Sequence, residues 1–187
     1  LIVALEVGGE RLYTAKYQKP VWPKGPSGIT IGIGWDLGYA DAETVLLEWA
    51  KHPYVLDLVK LAGIKGKQAQ ELVGSVQYIT TPYALAYSVF EMYSLPKYYN
   101  MTRRAFGKDF EFLPDNAKGA LVSLVFNRGS SMAGDSRKEM REIRDKCIPL
   151  KSSECIAGEL LAMVRVWKNS DIEKAMAARR QREAEHA

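Results

Sequence analysis

Leu1-Ile2-Val3-Ala4-Leu5 is apolar up to a carboxylate, Glu6, and Gly8-Gly9 follows at once. That pattern predicts a short helix stopped by glycine, with Glu6 carried at its end. Arg11 to Tyr17 reads as β-prone, and prolines at 20, 23 and 26 make the stretch 18–26 an irregular arm carrying Trp22. Between Ile29 and Ile33 the period falls to two, isoleucine alternating with Thr30 and Gly32, while glycines at 25, 28, 32, 34 and 38 permit tight turns. This predicts a glycine-hinged hairpin. Thr30 then projects from the face opposite the isoleucines and Asp36 lies just past the turn at Gly34, so a hydroxyl and a carboxylate converge.

From Asp41 the period becomes helical, with Val45, Leu46, Trp49 and Ala50 on one stripe and Pro53 ending it; Val55, Leu58, Val59 and Ala62 continue in a second short helix. An amphipathic stretch runs over 68–78. Thr81 is the expected N-cap and Pro82 the first turn of a helix reaching about Tyr93. Leu113-Pro114-Asp115 opens a helix whose run Ala120 to Phe126 is apolar on nearly all sides, as a central buried helix requires, and Asn127-Arg128-Gly129 ends it. Arg137 to Lys146 is charged, Glu154 to Trp167 amphipathic, and Ser170-Asp171-Ile172-Glu173 reads as a capping box opening a charged last helix. Together these predict an α+β fold: a small β-hairpin lobe near the N-terminus (about 9–40) beside a helical lobe of six to eight helices (about 41–187 plus the N-terminal helix), in one domain with a cleft between them.

Composition adds few constraints. The 187 residues are 47% hydrophobic and 26% charged, ordinary for a globular chain. The apolar runs fall short of the roughly 20 residues of a membrane-spanning helix. No signal peptide is visible, and the absence of an initiator methionine points to an excised domain. Net charge +4 mildly favours anionic partners, but basic and acidic residues are interleaved and no nucleic-acid motif is present. Two histidines, His52 and His186, and no CxxC argue against a zinc site and against a zinc amidase or cysteine peptidase. The Gly32-x-Gly34 pair lacks the third glycine of a dinucleotide loop, position 37 being leucine. No cofactor is expected. Cys147 and Cys155, eight residues apart across a turn, suit either a local disulfide or two free thiols.

Glu6 on a helix end, with Thr30 and Asp36 on a hairpin, supplies one acid and a hydroxyl–carboxylate pair able to hold a water. An inverting glycosidase needs such a set, with its carboxyls about 6.5–9.5 Å apart. Taken singly, each residue has a plainer reading: a solvated helix end, a β-branched packing residue, a turn cap.

Glu6 followed by Gly28-Ile-Thr-Ile-Gly-Ile-Gly-Trp-Asp-Leu-Gly38 resembles the glutamate and Thr-Ile-Gly-Ile-Gly hairpin of the phage-type lysozymes, and most closely the pesticin-like bacteriocin muramidase domain. The stretches 120–129 and 177–185 resemble that family's central-helix ending and its terminal Arg-Arg-x-x-Glu helix. The resemblance spans most of the chain in order and implies a lysozyme-like fold. In the common phage pattern the second carboxylate precedes the hairpin, where this chain has no aspartate; in the pesticin-like variant it follows the threonine by six residues, matching Asp36.

Carried over, Glu6 is the general acid, Thr30 and Asp36 hold the attacking water, Asn127 lines the saccharide cleft, and Arg179 pairs with the acid, with Arg180 a close competitor. Trp22, Trp35, Tyr13 and Tyr17 are candidates for sugar stacking. The implied activity is hydrolysis, with inversion, of the β-1,4 bond between N-acetylmuramic acid and N-acetylglucosamine in peptidoglycan, in the periplasm or wall of a target bacterium. The implied setting is an antibacterial toxin, effector or phage lysin, a monomer delivered within a larger protein, with a periplasmic immunity protein as partner. A catalytically inactive glycan-binding module is the alternative.

Overall fold

The computed structural model describes residues 1–187. It is 64% helical with one two-stranded antiparallel sheet, an α+β chain. Nine α-helical segments follow the hairpin where six to eight are expected, because glycines and turns cut the amphipathic stretches into short pieces. The chain divides into two units, Val3–Pro96 and Leu1–Ile2 with Lys97–Ala187. No helix is long and apolar enough to cross a membrane.

The first unit opens with α1 (Ile2–Glu6), which does end at Glu6, and α2 (Glu10–Lys16). The β-prone reading of 11–17 is therefore wrong. Gly9, at φ 92°, redirects the chain, and Glu10 sits in the first helical turn, where a carboxylate is favoured. Burial then fixes the element: Tyr13 is fully buried, donates its hydroxyl to the carbonyl of Thr81 at 2.9 Å, and packs edge-on against Tyr83. Tertiary packing has overridden local propensity.

β1 (Thr30–Ile31) and β2 (Trp35–Asp36) pair antiparallel, Thr30 opposite Asp36 and Ile31 opposite Trp35. The turn between them, Gly32-Ile33-Gly34, holds both glycines at positive φ (58° and 67°). Ile29, Ile31 and Ile33 are all buried, as the alternation predicted. Two strands of two residues cannot enclose a core of their own. Ile29 and Ile31 instead join Leu37 and residues of the following helices, Val45 and Trp49 of the α3 region (Ala42–Glu48) and Leu58 of α4 (Val55–Lys60), in one cluster that extends to Val89. The hairpin region thus shares its core with helices through residue 96 and does not stand apart at residue 40.

α5 (Gly66–Leu72) and α6 (Tyr83–Val89) complete this unit. Thr81 does not cap α6 with its side chain; it is buried and its Oγ1 lies 3.0 Å from His52 Nε2. His52 Nδ1 accepts from the Tyr54 N–H, which places the neutral ring's proton on Nε2 and makes Thr81 the acceptor. The helix expected to stop near Tyr93 instead passes through a π-turn at Phe90–Ser94 into α7 (Leu95–Phe106). Pro96 has no N–H to donate backward, and the widened turn ahead of it absorbs that loss without breaking the helix.

In the second unit, α8 (Asp115–Arg128) is the expected central helix, buried at Ala117, Ala120 and every position from Leu121 to Val125. α9 (Lys138–Glu142) runs through a π-turn to Cys147, and α10 (Ser153–Ala162) begins beyond a short loop, capped by Ser152 accepting from the Cys155 N–H at 3.1 Å. A disulfide joins Cys147 to Cys155 across that loop, with Cα atoms 5.3 Å apart. α11 (Glu173–His186) follows; the residue at its start, Ile172, supplies no side-chain cap, and Glu173 reaches back to the Asn169 N–H instead of Ser170.

Candidate functional site

The hairpin is held shut at its base by Asp36. Its Oδ1 accepts from the Gly28 N–H at 3.0 Å and the Gly38 N–H at 2.8 Å, and Oδ2 from Gly28 at 3.2 Å. Only glycine fits here: a Cβ at Gly28 would come within 2.4 Å of the Gly38 backbone and 2.5 Å of Asp36 Oδ1. The repeated glycines are therefore as much a steric requirement of this pinch as of the turn.

Because Thr30 and Asp36 are direct cross-strand partners, their side chains leave the same face of the ribbon, opposite the buried isoleucines. Both are half-buried. A carboxylate offers about four lone-pair directions. The Gly28 and Gly38 amides occupy three of them. Burial raises the Asp36 pKa above its usual 3.8, opposed by the Gly38 and Gly28 N–H groups and by the charge of Lys65. The pair is chemically able to orient and deprotonate a water.

Trp35 is half-buried beside them; its indole N–H is committed to Glu48 Oε2 at 2.7 Å and its ring meets Trp49 edge-on. Trp22 donates to the Ser27 carbonyl at 3.0 Å and packs partly buried on the same core cluster. Both are only partly buried. Tyr13 differs: it is fully buried with its hydroxyl bonded internally, burial pushes its pKa well up, and it is withdrawn as a sugar contact. Tyr17, half-buried, follows the last turn of α2. Glu6 ends α1 in this same unit, also half-buried.

Asn127 and Arg179 belong to the second unit. Asn127 is exposed, and its Oδ1 accepts from Arg180 Nη2 at 2.9 Å. A guanidinium only donates, so the amide cannot be flipped and its NH₂ faces outward. Arg180 is fully buried beside Glu183 (3.0 Å) and flanks the Trp167 ring; burial lowers its pKa to about 10, against the pull of Glu183. Arg179 also grips Glu183, at 3.2 Å, and Ser123 donates to the same carboxylate at 2.6 Å. Trp167, at the end of the amphipathic stretch from Glu154, is half-buried with the Arg128 guanidinium 4.7 Å over its ring.

Two of these residues, Lys65 and Glu48, escaped the sequence reading, and for Glu183, the glutamate of the Arg-Arg-x-x-Glu stretch, only its burial did. Glu183 was visible as the i+4 partner of Arg179 and i+3 partner of Arg180, but nothing local marks such a pair as buried. Lys65 and Glu48 reach the hairpin only through long-range folding. No group of three or more His, Cys, Asp or Glu is arranged to hold a metal ion. No protein-family model matches the chain, and no curated protein matches its sequence.

Proposed function

We propose that the chain is a lysozyme-type muramidase that cleaves the β-1,4 bond between N-acetylmuramic acid and N-acetylglucosamine in peptidoglycan by single displacement with inversion. The observation that carries this reading is the register setting Thr30 opposite Asp36 on a hairpin whose glycine pinch fixes the Asp36 carboxylate. Glu6 protonates the leaving oxygen. Asp36 takes a proton from water while the Thr30 hydroxyl aims that water at the anomeric carbon. Trp35 and Trp22 offer ring faces to pyranose rings. The setting that fits is the periplasm or wall of a target bacterium, as a toxin, effector or lysis domain.

The test is muropeptide analysis of purified sacculi after incubation with wild type and with Glu6→Gln. Wild type releases new reducing ends; Glu6→Gln, which keeps the shape and removes the proton, releases none. Equal release by both removes Glu6 from the acid's role. One observation favours a second reading, a glycan-binding module without turnover: the Asp36 carboxylate already serves two backbone amides, as a purely structural aspartate would. Wild-type binding to sacculi with no new reducing ends selects that module.

A further inference from the structure

Two consecutive carbonyls of the arm collect three contacts beside the hairpin's base. The Pro26 carbonyl accepts from the Tyr39 hydroxyl at 3.4 Å, and the Ser27 carbonyl accepts from the Trp22 indole N–H at 3.0 Å and from the Gly66 N–H at 2.9 Å. The Gly66 contact brings in the turn ahead of α5, where Gly28 and Lys65 form a β-bridge. Lys65 is thereby packed on the glycine pinch: a Cβ at Gly38 would lie 2.8 Å from Lys65 Cγ. Its ammonium rests 3.9 Å from the centre of the Tyr39 ring.

Tyr39 follows Gly38, whose N–H binds Asp36, so the ring and its cation adjoin the Thr30 and Asp36 pair through the same pinch. The tyrosine is 62% exposed. A ring left in water gains nothing from the hydrophobic effect, and a solvated tyrosine needs no fixing. This one is fixed three ways, by its hydroxyl, by the cation on its ring and by the short helical turn Leu37–Tyr39 that carries it. An aromatic held rigid while exposed is a preorganised binding surface. Lys65 is also exposed, and the ion pairs of the flanking helices, Lys60 with Asp57 and Lys67 with Glu71, leave it out.

We propose that Tyr39 and Lys65 form a glycan subsite at the foot of the hairpin, the ring stacking on a pyranose and the ammonium pairing with a carboxylate of the peptide that muramic acid carries. The inference rests on the muramidase reading for its class of ligand. The C–H faces of pyranoses pack on aromatic rings, and a cation beside the ring selects strands with acidic substituents over neutral ones.

The experiment is an NMR titration in a Glu6→Gln background with two probes, a neutral β-1,4-linked N-acetylglucosamine oligomer and a peptidoglycan glycan fragment carrying its acidic stem peptides. Both probes show NOEs from the Tyr39 ring protons to pyranose C–H protons, a readout that needs no substitution at the subsite. Tyr39→Ala weakens both about tenfold. Lys65→Met, which keeps the stem against Gly38, weakens only the acidic probe, about threefold; Lys65→Arg restores it and salt near 1 M removes the difference. Absence of the NOEs, or unchanged affinities in Tyr39→Ala, overturns the subsite. Any Lys65→Met result other than selective loss of the acidic probe overturns the carboxylate contact. The expected binding pattern, beside a wild type that releases no new reducing ends from sacculi, keeps the subsite and sinks the muramidase reading; release of reducing ends without the NOEs does the reverse.

Discussion

The hairpin of the first unit and the α8–α11 packing of the second place polar side chains by opposite means. At the hairpin the determinants are backbone: Gly28 and Gly38 come together because neither has a Cβ, and their N–H groups, with Asp36, do the rest. At α8 and α11 they are side chains: Ser123, Arg179 and Arg180 converge on the fully buried Glu183, and Arg180 reaches on to Asn127. The first device tolerates no added atom. The second tolerates no lost charge, because a buried ion without its partners is costly. A polar group can thus be fixed by removing alternatives from the chain or by surrounding it with partners, and the two kinds of site fail under different substitutions.

That difference yields an ordered set of expectations. The largest is Glu183→Ala, which strips the fully buried Arg180 guanidinium of its counter-ion and should cost about 3–5 kcal/mol; chemical denaturation checks it, and a loss under 1 kcal/mol would show that Arg180 needs no carboxylate. Gly28→Ala comes next, at about 3 kcal/mol, since the new methyl meets backbone that cannot yield; the hairpin amide resonances should be lost while those of α8 persist. Opening the disulfide with Cys147→Ser and Cys155→Ser should lower stability by about 2.5 kcal/mol on the loop-entropy account of a short closed loop, measured by thermal melting with and without reductant. Asp36→Asn is smaller in stability, about 1 kcal/mol, because an amide oxygen still accepts from Gly28 and Gly38. Its effect on rate is far larger, a fall of about 10²–10⁴ from loss of the base. This separation of stability from rate distinguishes the catalytic use of Asp36 from its turn-holding use.

The pH dependence follows from the same residue. Burial raises the Asp36 pKa above 3.8, so as pH falls Asp36 is protonated earlier than an exposed aspartate, and with Asp36 as the proposed base the activity declines from that higher point. The sign for stability is the reverse of the usual aspartate: a raised folded-state pKa favours the native state where Asp36 is protonated, and its contribution is lost as pH rises through the shifted value.

Where sequence was legible, the reason is local. Alternation from Ile29 to Ile33 is a two-residue rule, and it placed Thr30 and Asp36 on one face because strand geometry leaves no alternative. The apolar run of α8 identified a buried helix for the same reason. α2 was misread because Tyr13 earns its place from Thr81 and Tyr83, sixty-eight and seventy residues on. The sharing of the hairpin's core with later helices was not legible, because a hairpin this small cannot enclose a core of its own. Lys65 carries no local mark; it matters through what folding sets beside it.

The most direct measurement of the central claim is the configuration of the first-formed product, read by proton NMR before mutarotation while wild type cleaves a soluble peptidoglycan glycan fragment. A water held by Thr30 and Asp36 and delivered opposite the leaving oxygen gives the α-anomer first. Initial appearance of the β-anomer would mean a covalent intermediate or retained water geometry, and the role assigned to the hairpin pair would be wrong.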